Sequence, residues 1–186
     1  MSYSPQQRQC LLRLARDSID WGLRQGCPLP LRLAEFDVEL QQLQACFVTL
    51  LKRHRLRGCI GSLEARRPLV LDVVENAYAA AFRHTGFEPM QKAELDQISI
   101  SISVLTPAED LLFESESHLI SQLEAHVDGL IFSDGGYRAT FLPSVWEQVP
   151  DPVSFLRQLK QKAGLPPDYW SDSVSVSRYR SDYFAE

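Results

Sequence analysis

Apolar and polar positions recur with different periods along this chain, and each period predicts an element. Leu11, Leu14, Ile19 (with Leu12 and Ala15) and Leu23 recur at helical spacing. Ser4-Pro5 supplies a cap and a proline for the first turn, and Gly26 with Pro28 and Pro30 ends the helix near Arg24. Residues 31–44 mix polar and apolar positions and read as a short helix or an arm. The run Ala45 to Leu51, the polar turn Lys52-Arg53-His54-Arg55 and Leu56 to Leu63 read as a β-hairpin. A second helix follows Pro68, with Val73, Ala77, Ala80 and Ala81 as a face narrow enough to lie close on a sheet and Gly86 as its stop. Gln97 to Leu105 alternates isoleucine or valine with serine, which predicts a strand buried on one face.

The second half has a similar order. Val127 to Phe132 and Tyr137 to Leu142 flank the turn Ser133-Asp134-Gly135-Gly136. Asp151-Pro152 opens a helix with Phe155, Leu156, Leu159 and Ala163 on one face, stopped by Gly164 and Pro166. Val174 and Val176 alternate with serines toward Arg178-Tyr179-Arg180, as a last strand. Strand, turn, strand, helix, strand therefore occurs twice; an internal duplication produces that order, and so does chance. The expected fold is α+β with two lobes, each a small mainly antiparallel sheet with helices packed on it. The expected division is a central lobe of residues 31–115 and a second lobe built from 1–30 plus 116–186. If the halves correspond, Gly61-Ser62-Leu63 matches Pro143-Ser144-Val145, and two hairpin ends border a cleft, where ligands usually sit.

Composition narrows the classes. With 186 residues, 45% hydrophobic and 23% charged, the chain is of ordinary globular make-up and large enough to bury a core. A net charge of −5 argues against a nucleic-acid or anionic-membrane surface. No apolar run approaches the ~20 residues that span a bilayer, and no signal segment opens the chain. Cys10, Cys27, Cys46 and Cys59 have no metal-ligand spacing and suit free thiols in a cytoplasmic setting.

The candidate chemistry centres on Leu56-Arg57-Gly58-Cys59-Ile60-Gly61. Strand alternation would put Arg57 and Cys59 on one face, roughly 7 Å apart, and a nearby cation favours the thiolate. Gly58 and Gly61 suit close approach of a ligand or of another backbone; a buried cysteine beside a glycine bulge is the structural alternative. Asp128 would orient a base or hold an arginine, or simply start a turn with Gly129. His126 and Asp128 offer two potential metal ligands where a site needs three or four, so no metal is assigned. No phosphate-binding or serine-hydrolase motif is present.

Leu56 to Gly61, preceded by Phe47-Val48-Thr49-Leu50, resembles the signature of the AMMECR-type domain, also called the AmmeMemoRadiSam system protein A family. The resemblance continues through Glu94-Leu95, Val127-Asp128-Gly129, Phe141 to Trp146 and Phe155 to Leu165, over nearly the whole chain. It implies a two-lobed α+β protein of unsettled activity, with the signature hairpin at an inter-lobe cleft, in a family found alongside Memo-like and radical SAM proteins. Carried over, the cleft residues are Arg57, Gly58, Cys59, Gly61, Asp128, Gly129, Pro143 and Trp146, with Ser62 and Ser144 beside them. This chain departs from the family at His126, where glycine is usual, and at His84-Thr85-Gly86-Phe87, where the family has an Asp-Pro-Arg-Phe-like segment.

Three function classes stand. One is a cleft enzyme using Cys59 as nucleophile or redox thiol on a small anionic substrate, with Arg57 and Asp128 assisting. The second is a non-catalytic module that binds a small anionic ligand or a partner protein of the same pathway, in which Arg57 contacts the anion and Cys59 only packs. A purely structural adaptor is the third. No cofactor is identified by the residues.

Overall fold

Ser4 opens the first helix, α1 (Pro5–Gln25), as the spacing predicts. Its hydroxyl accepts from the Gln7 amide while the Gln7 side chain accepts from the Ser4 amide, and Gly26 closes the helix at φ 71°. The computed structural model describes residues 3–186. The remaining elements are β1 (Cys46–Lys52), β2 (Arg55–Gly61), α2 (Leu69–Phe82), β3 (Ile98–Leu105), β4 (Glu109–Asp110), α3 (Glu116–Ser121), β5 (Gly129–Asp134), β6 (Tyr137–Phe141), α4 (Pro152–Lys162), β7 (Ser175–Tyr179) and β8 (Ser181–Ala185). The protein is α+β, with two four-stranded antiparallel sheets and helices packed on them. It divides into one unit of residues 1–105 plus 182–186 and another of 106–181.

In the first unit the strand order is β2-β1-β3-β8. Cys46, Val48 and Leu50 of β1 and Ile98, Ile100, Ile102 and Val104 of β3 form one apolar face, against α1 and α2. Gly22 of α1 sits where a Cβ would come within 2.6 Å of Phe82 and 2.7 Å of Tyr78, so the absence of a side chain sets how closely the helices approach. The buried Ser18 hydroxyl donates to the Val74 carbonyl at 2.8 Å. The expected division placed residues 1–30 with 116–186; α1 instead shares the apolar core of β1 and β3, because its Leu11, Leu14 and Ile19 face is buried there.

Other expectations shift by a few residues. Residues 31–44 form two short 3-10 turns, Leu33–Glu35 and Val38–Gln41, that add Leu40 to the core. Helix α2 ends with the cap at Arg83, before Gly86, since the chain turns back and the Met90 amide bonds the Ala81 carbonyl at 2.9 Å. The Lys52 to Arg55 turn has a two-residue loop in which Arg53 (φ 50°) and His54 (φ 63°) are both left-handed. That is the primed geometry a twisted hairpin requires.

In the second unit the order is β4-β7-β5-β6. Phe132, Trp146, Phe155, Leu156 and Leu159 are fully buried together. Asp134, at the end of β5, accepts from Tyr169 (2.8 Å), Ser171 (2.6 Å) and Ser173 (2.6 Å), and these bonds hold its carboxyl below the usual range. Lys160 is wholly buried, its ammonium bonded to Glu116 at 2.7 Å and to the Tyr169 carbonyl at 2.9 Å. Two short elements escaped the sequence pattern, α3 and β4. So did the return of the chain through β8, which lies beside β3 rather than with β7.

Candidate functional site

The sequence-derived candidates fall in both units. Arg57, Gly58, Cys59, Gly61 and Ser62 lie in the first; Asp128, Gly129, Pro143, Ser144 and Trp146 lie in the second. Each set is described by itself.

Strand β2 does not alternate evenly. Leu51 pairs with Leu56 and Leu50 with Gly58, so Arg57 is the extra residue of a bulge. Arg57 and Gly58 together oppose Leu50, whereas Cys59 opposes Thr49. The alternation that would put Arg57 and Cys59 on one face therefore fails. The Arg57 guanidinium is 10% exposed and runs to the segment after α2. It donates from Nε to Glu94 Oε1 at 3.0 Å, and from Nη2 to Glu94 Oε2 at 3.1 Å and to the Glu88 carbonyl at 2.9 Å. Phe87 lies under it, with 5.5 Å between Cζ and the ring centroid. Lys52 adds a second cation, 2.8 Å from Glu94 Oε1. Hydrogen bonding to Arg57 above all pulls the Glu94 carboxyl far below its usual range.

Cys59 is half-buried, and its sulfur accepts from the Thr49 hydroxyl at 3.1 Å. Gly58 is glycine because α2 lies on it; a Cβ there would stand 2.2 Å from the Ala80 carbonyl oxygen. Gly61 likewise leaves room for the Phe47 ring, 2.4 Å from where its Cβ would be. Both glycines serve close approach, of a helix backbone and of a cross-strand ring. Ser62 forms a local turn with Glu64, accepting from its amide at 3.1 Å and donating to its carbonyl at 3.0 Å.

The fully buried thiol is a different one. Cys46 donates to Asp72 Oδ2 at 3.2 Å, while its amide reaches the same oxygen at 3.0 Å. Asn76 bonds Asp72 Oδ2 at 2.9 Å, and Arg67 pairs with Oδ1 at 2.9 Å. Burial first, then the Asp72 charge, pushes the Cys46 thiol well up, which makes it a structural donor.

In the second unit the structure brings Asp128, Gly129 and Trp146 together. The Trp146 indole N–H donates to the Asp128 carbonyl at 2.7 Å, and its ring stacks on Phe155 at 3.7 Å. Trp146 is thus a core residue. Pro143 starts the 3-10 turn Pro143–Glu147, and Ser144 within it is exposed. Gly129 gives space to the Tyr179 ring, whose atoms would lie 2.5 Å from a Cβ. That ring's hydroxyl sits 2.9 Å from the Thr140 hydroxyl and bonds the Phe141 carbonyl at 3.0 Å; burial pushes its ionisation up to about 12. The Asp128 side chain is fully buried. Oδ2 accepts from the Glu124 amide at 2.8 Å, and Oδ1 faces Nε of Arg178 at 3.8 Å and Nε of Arg180 at 3.9 Å. His126, two residues earlier, has φ 67°, a left-handed backbone that glycine adopts most readily.

Among the described residues no group of three or more His, Cys, Asp or Glu side chains is arranged to hold a metal ion, and no helix is long and apolar enough to cross a membrane. Sequence reasoning missed Glu94 as the partner of Arg57, and Asp72. It named Arg178 and Arg180 only as a strand end. Glu94 stood inside a recognised segment, but no spacing rule links it to an arginine 37 residues earlier.

Comparison with known proteins places these features. The AMMECR1 family model matches residues 12–184. A protein of Methanothermobacter thermautotrophicus is 39% identical over 191 residues, covering 100% of this chain and 99% of that protein. A Methanocaldococcus jannaschii protein is 36% identical over 147 residues, with 77% and 73% covered. The crystal structure of an uncharacterised protein from Pyrococcus horikoshii superposes with a TM-score of 0.92 at 30% identity, covering 100% of this chain and 94% of that one. The signature hairpin, the Asp128–Gly129 turn and the match over nearly the full length lead to one assignment: this chain belongs to the AMMECR1 family, whose biochemical function is uncharacterised.

Proposed function

We propose that this chain is a non-catalytic binding module for a small anionic ligand, in which Cys59 is a packing residue of β2. One observation carries the non-catalytic part of this reading, and it takes from Arg57 the role of anion contact that its sequence setting suggested. The bulge sends the Arg57 guanidinium into a two-point bond with Glu94, so the cation that would activate the Cys59 thiol is held by a carboxylate instead. Arg57 then acts as a clamp between β2 and the segment 88–94. The Memo-like and radical SAM proteins that accompany the family are the pathway partners to test for binding. The experiment is the rate at which iodoacetamide alkylates Cys59 in a protein whose Cys10, Cys27 and Cys46 are replaced. A rate within roughly tenfold of a small free thiol at the same pH supports the module; a much faster rate restores the catalytic thiol.

A second reading keeps Cys59 as a nucleophile or redox thiol. It is favoured by the half-buried thiol and by the Thr49 hydroxyl 3.1 Å away, on the sheet face turned away from α1 and α2. Full pathway activity of a Cys59→Ala protein would remove it.

A further inference from the structure

Arg178 of β7 is placed unlike the other arginines of the second unit. Its side chain is only 28% exposed, yet the guanidinium makes no hydrogen bond among the described residues. Its nearest carboxylate oxygens are Asp128 Oδ1 at 3.8 Å and Glu109 Oε2 at 3.9 Å, both beyond bonding distance. Arg180, two positions on, faces the same Asp128 oxygen at 3.9 Å and reaches the exposed Glu124 at 3.1 Å. Both arginines line a cavity of about 270 Å³ with Thr106, Pro107, Glu109 and Tyr179. Asp128 is fully buried, and its Oδ1 has no hydrogen-bond partner.

These facts fit together. A buried carboxylate almost equidistant from two arginine Nε atoms draws together two arginines that line one cavity, without taking a hydrogen bond from either. Each guanidinium carries five N–H donors in a fixed fork, matched to the oxygens of a carboxylate or phosphate. Arg178, Arg180 and Asp128 together carry a net charge of +1, which an oxyanion neutralises. Glu109, in the cavity lining, and Glu124, bonded to Arg180, add two negative charges, but they stand 76% and 60% exposed, where water screens them.

We propose that Arg178 and Arg180, held by Asp128, form an oxyanion-binding site in the second unit, for a ligand carrying a carboxylate or a phosphate. This rests on the anion-binding reading above and gives it a location. Binding is measured by titrating the full-length protein with sodium phosphate and, separately, sodium acetate at constant ionic strength. Calorimetry gives the affinity, and the Nε–Hε resonances of the arginines give the place. The expected result is that at least one anion binds and shifts the Arg178 and Arg180 resonances, and that Arg178→Gln weakens binding roughly ten- to a hundredfold, the worth of a charged hydrogen bond. Arg13→Gln, on exposed α1 surface, leaves it unchanged. The arm that binds tells phosphate from carboxylate. If Arg178→Gln does not fold, Arg180→Gln and the wild-type resonances decide the same question. Anion binding that moves neither resonance and survives both substitutions overturns this location and leaves the binding module standing. No binding in either arm overturns both.

Discussion

Replacing Glu94 by glutamine tests whether Arg57 is structural. In the native protein the Glu94 carboxylate takes two bonds from Arg57, one from Lys52 and one from the Gln91 amide, and its side chain is 15% exposed. Glutamine keeps the size and one acceptor but removes the charge, leaving a guanidinium that is 10% exposed without its counter-ion. Breaking a buried pair from one side costs about 3–5 kcal/mol; the remaining exposure of Glu94 and the cation–π contact with Phe87 put the expectation near 3 kcal/mol. That lowers Tm by roughly 6–12 °C for a chain of this length. Urea unfolding of wild type, Glu94→Gln and the double variant Arg57→Leu/Glu94→Leu supplies the numbers. The double variant should recover most of the loss, since an apolar pair of similar volume is tolerated where a lone charge is not. The same pair has a pH signature. Because folding lowers the Glu94 pKa, its contribution is complete above the unfolded value of about 4.3 and is lost as pH falls below it. Glu94→Gln should flatten that part of the acid limb. A loss under about 1 kcal/mol, as for an exposed pair, would refute the reasoning. So would faster alkylation of Cys59 in Glu94→Gln, which would mean that the released guanidinium acts on the thiol.

Other expectations follow from the backbone and the packing. His126→Gly relieves a left-handed residue and should raise stability by about 1 kcal/mol in urea unfolding; an unchanged midpoint would mean that the His126 side chain offsets its strain. Replacing Arg53-His54 by Asn-Gly suits the same backbone in the β1–β2 turn and should raise Tm by a few degrees, read by calorimetry. Gly58→Ala drives a methyl group to 2.2 Å from a main-chain oxygen of α2 and should cost about 3 kcal/mol, the upper end for overpacking, because a helix backbone cannot step aside as a side chain does. A Gly58→Ala protein as stable as wild type would mean that α2 is free to move away from β2.

Local physics made much of this protein legible in advance. The Ser4-Pro5 opening of α1, the isoleucine–serine alternation of β3 and the Asp151-Pro152 opening of α4 each act within a few residues, so the amino-acid order alone determines those elements. The family resemblance came from motif strings such as Leu56 to Gly61, not from any local period, and His126, one of the departures noted there, is left-handed in the structure. What tertiary structure alone decided are the long-range pairings. The bulge at Arg57 depends on how β2 registers on β1, and a one-residue shift changes which face a side chain meets. Whether Arg57 serves Cys59 or Glu94 follows from that register. Likewise β8 returns to β3, Asp72 meets Cys46, and Asp128 faces both Arg178 and Arg180, which line one cavity. Such contacts join residues tens of positions apart, and no local period in the sequence encodes which distant charge a buried charge will meet.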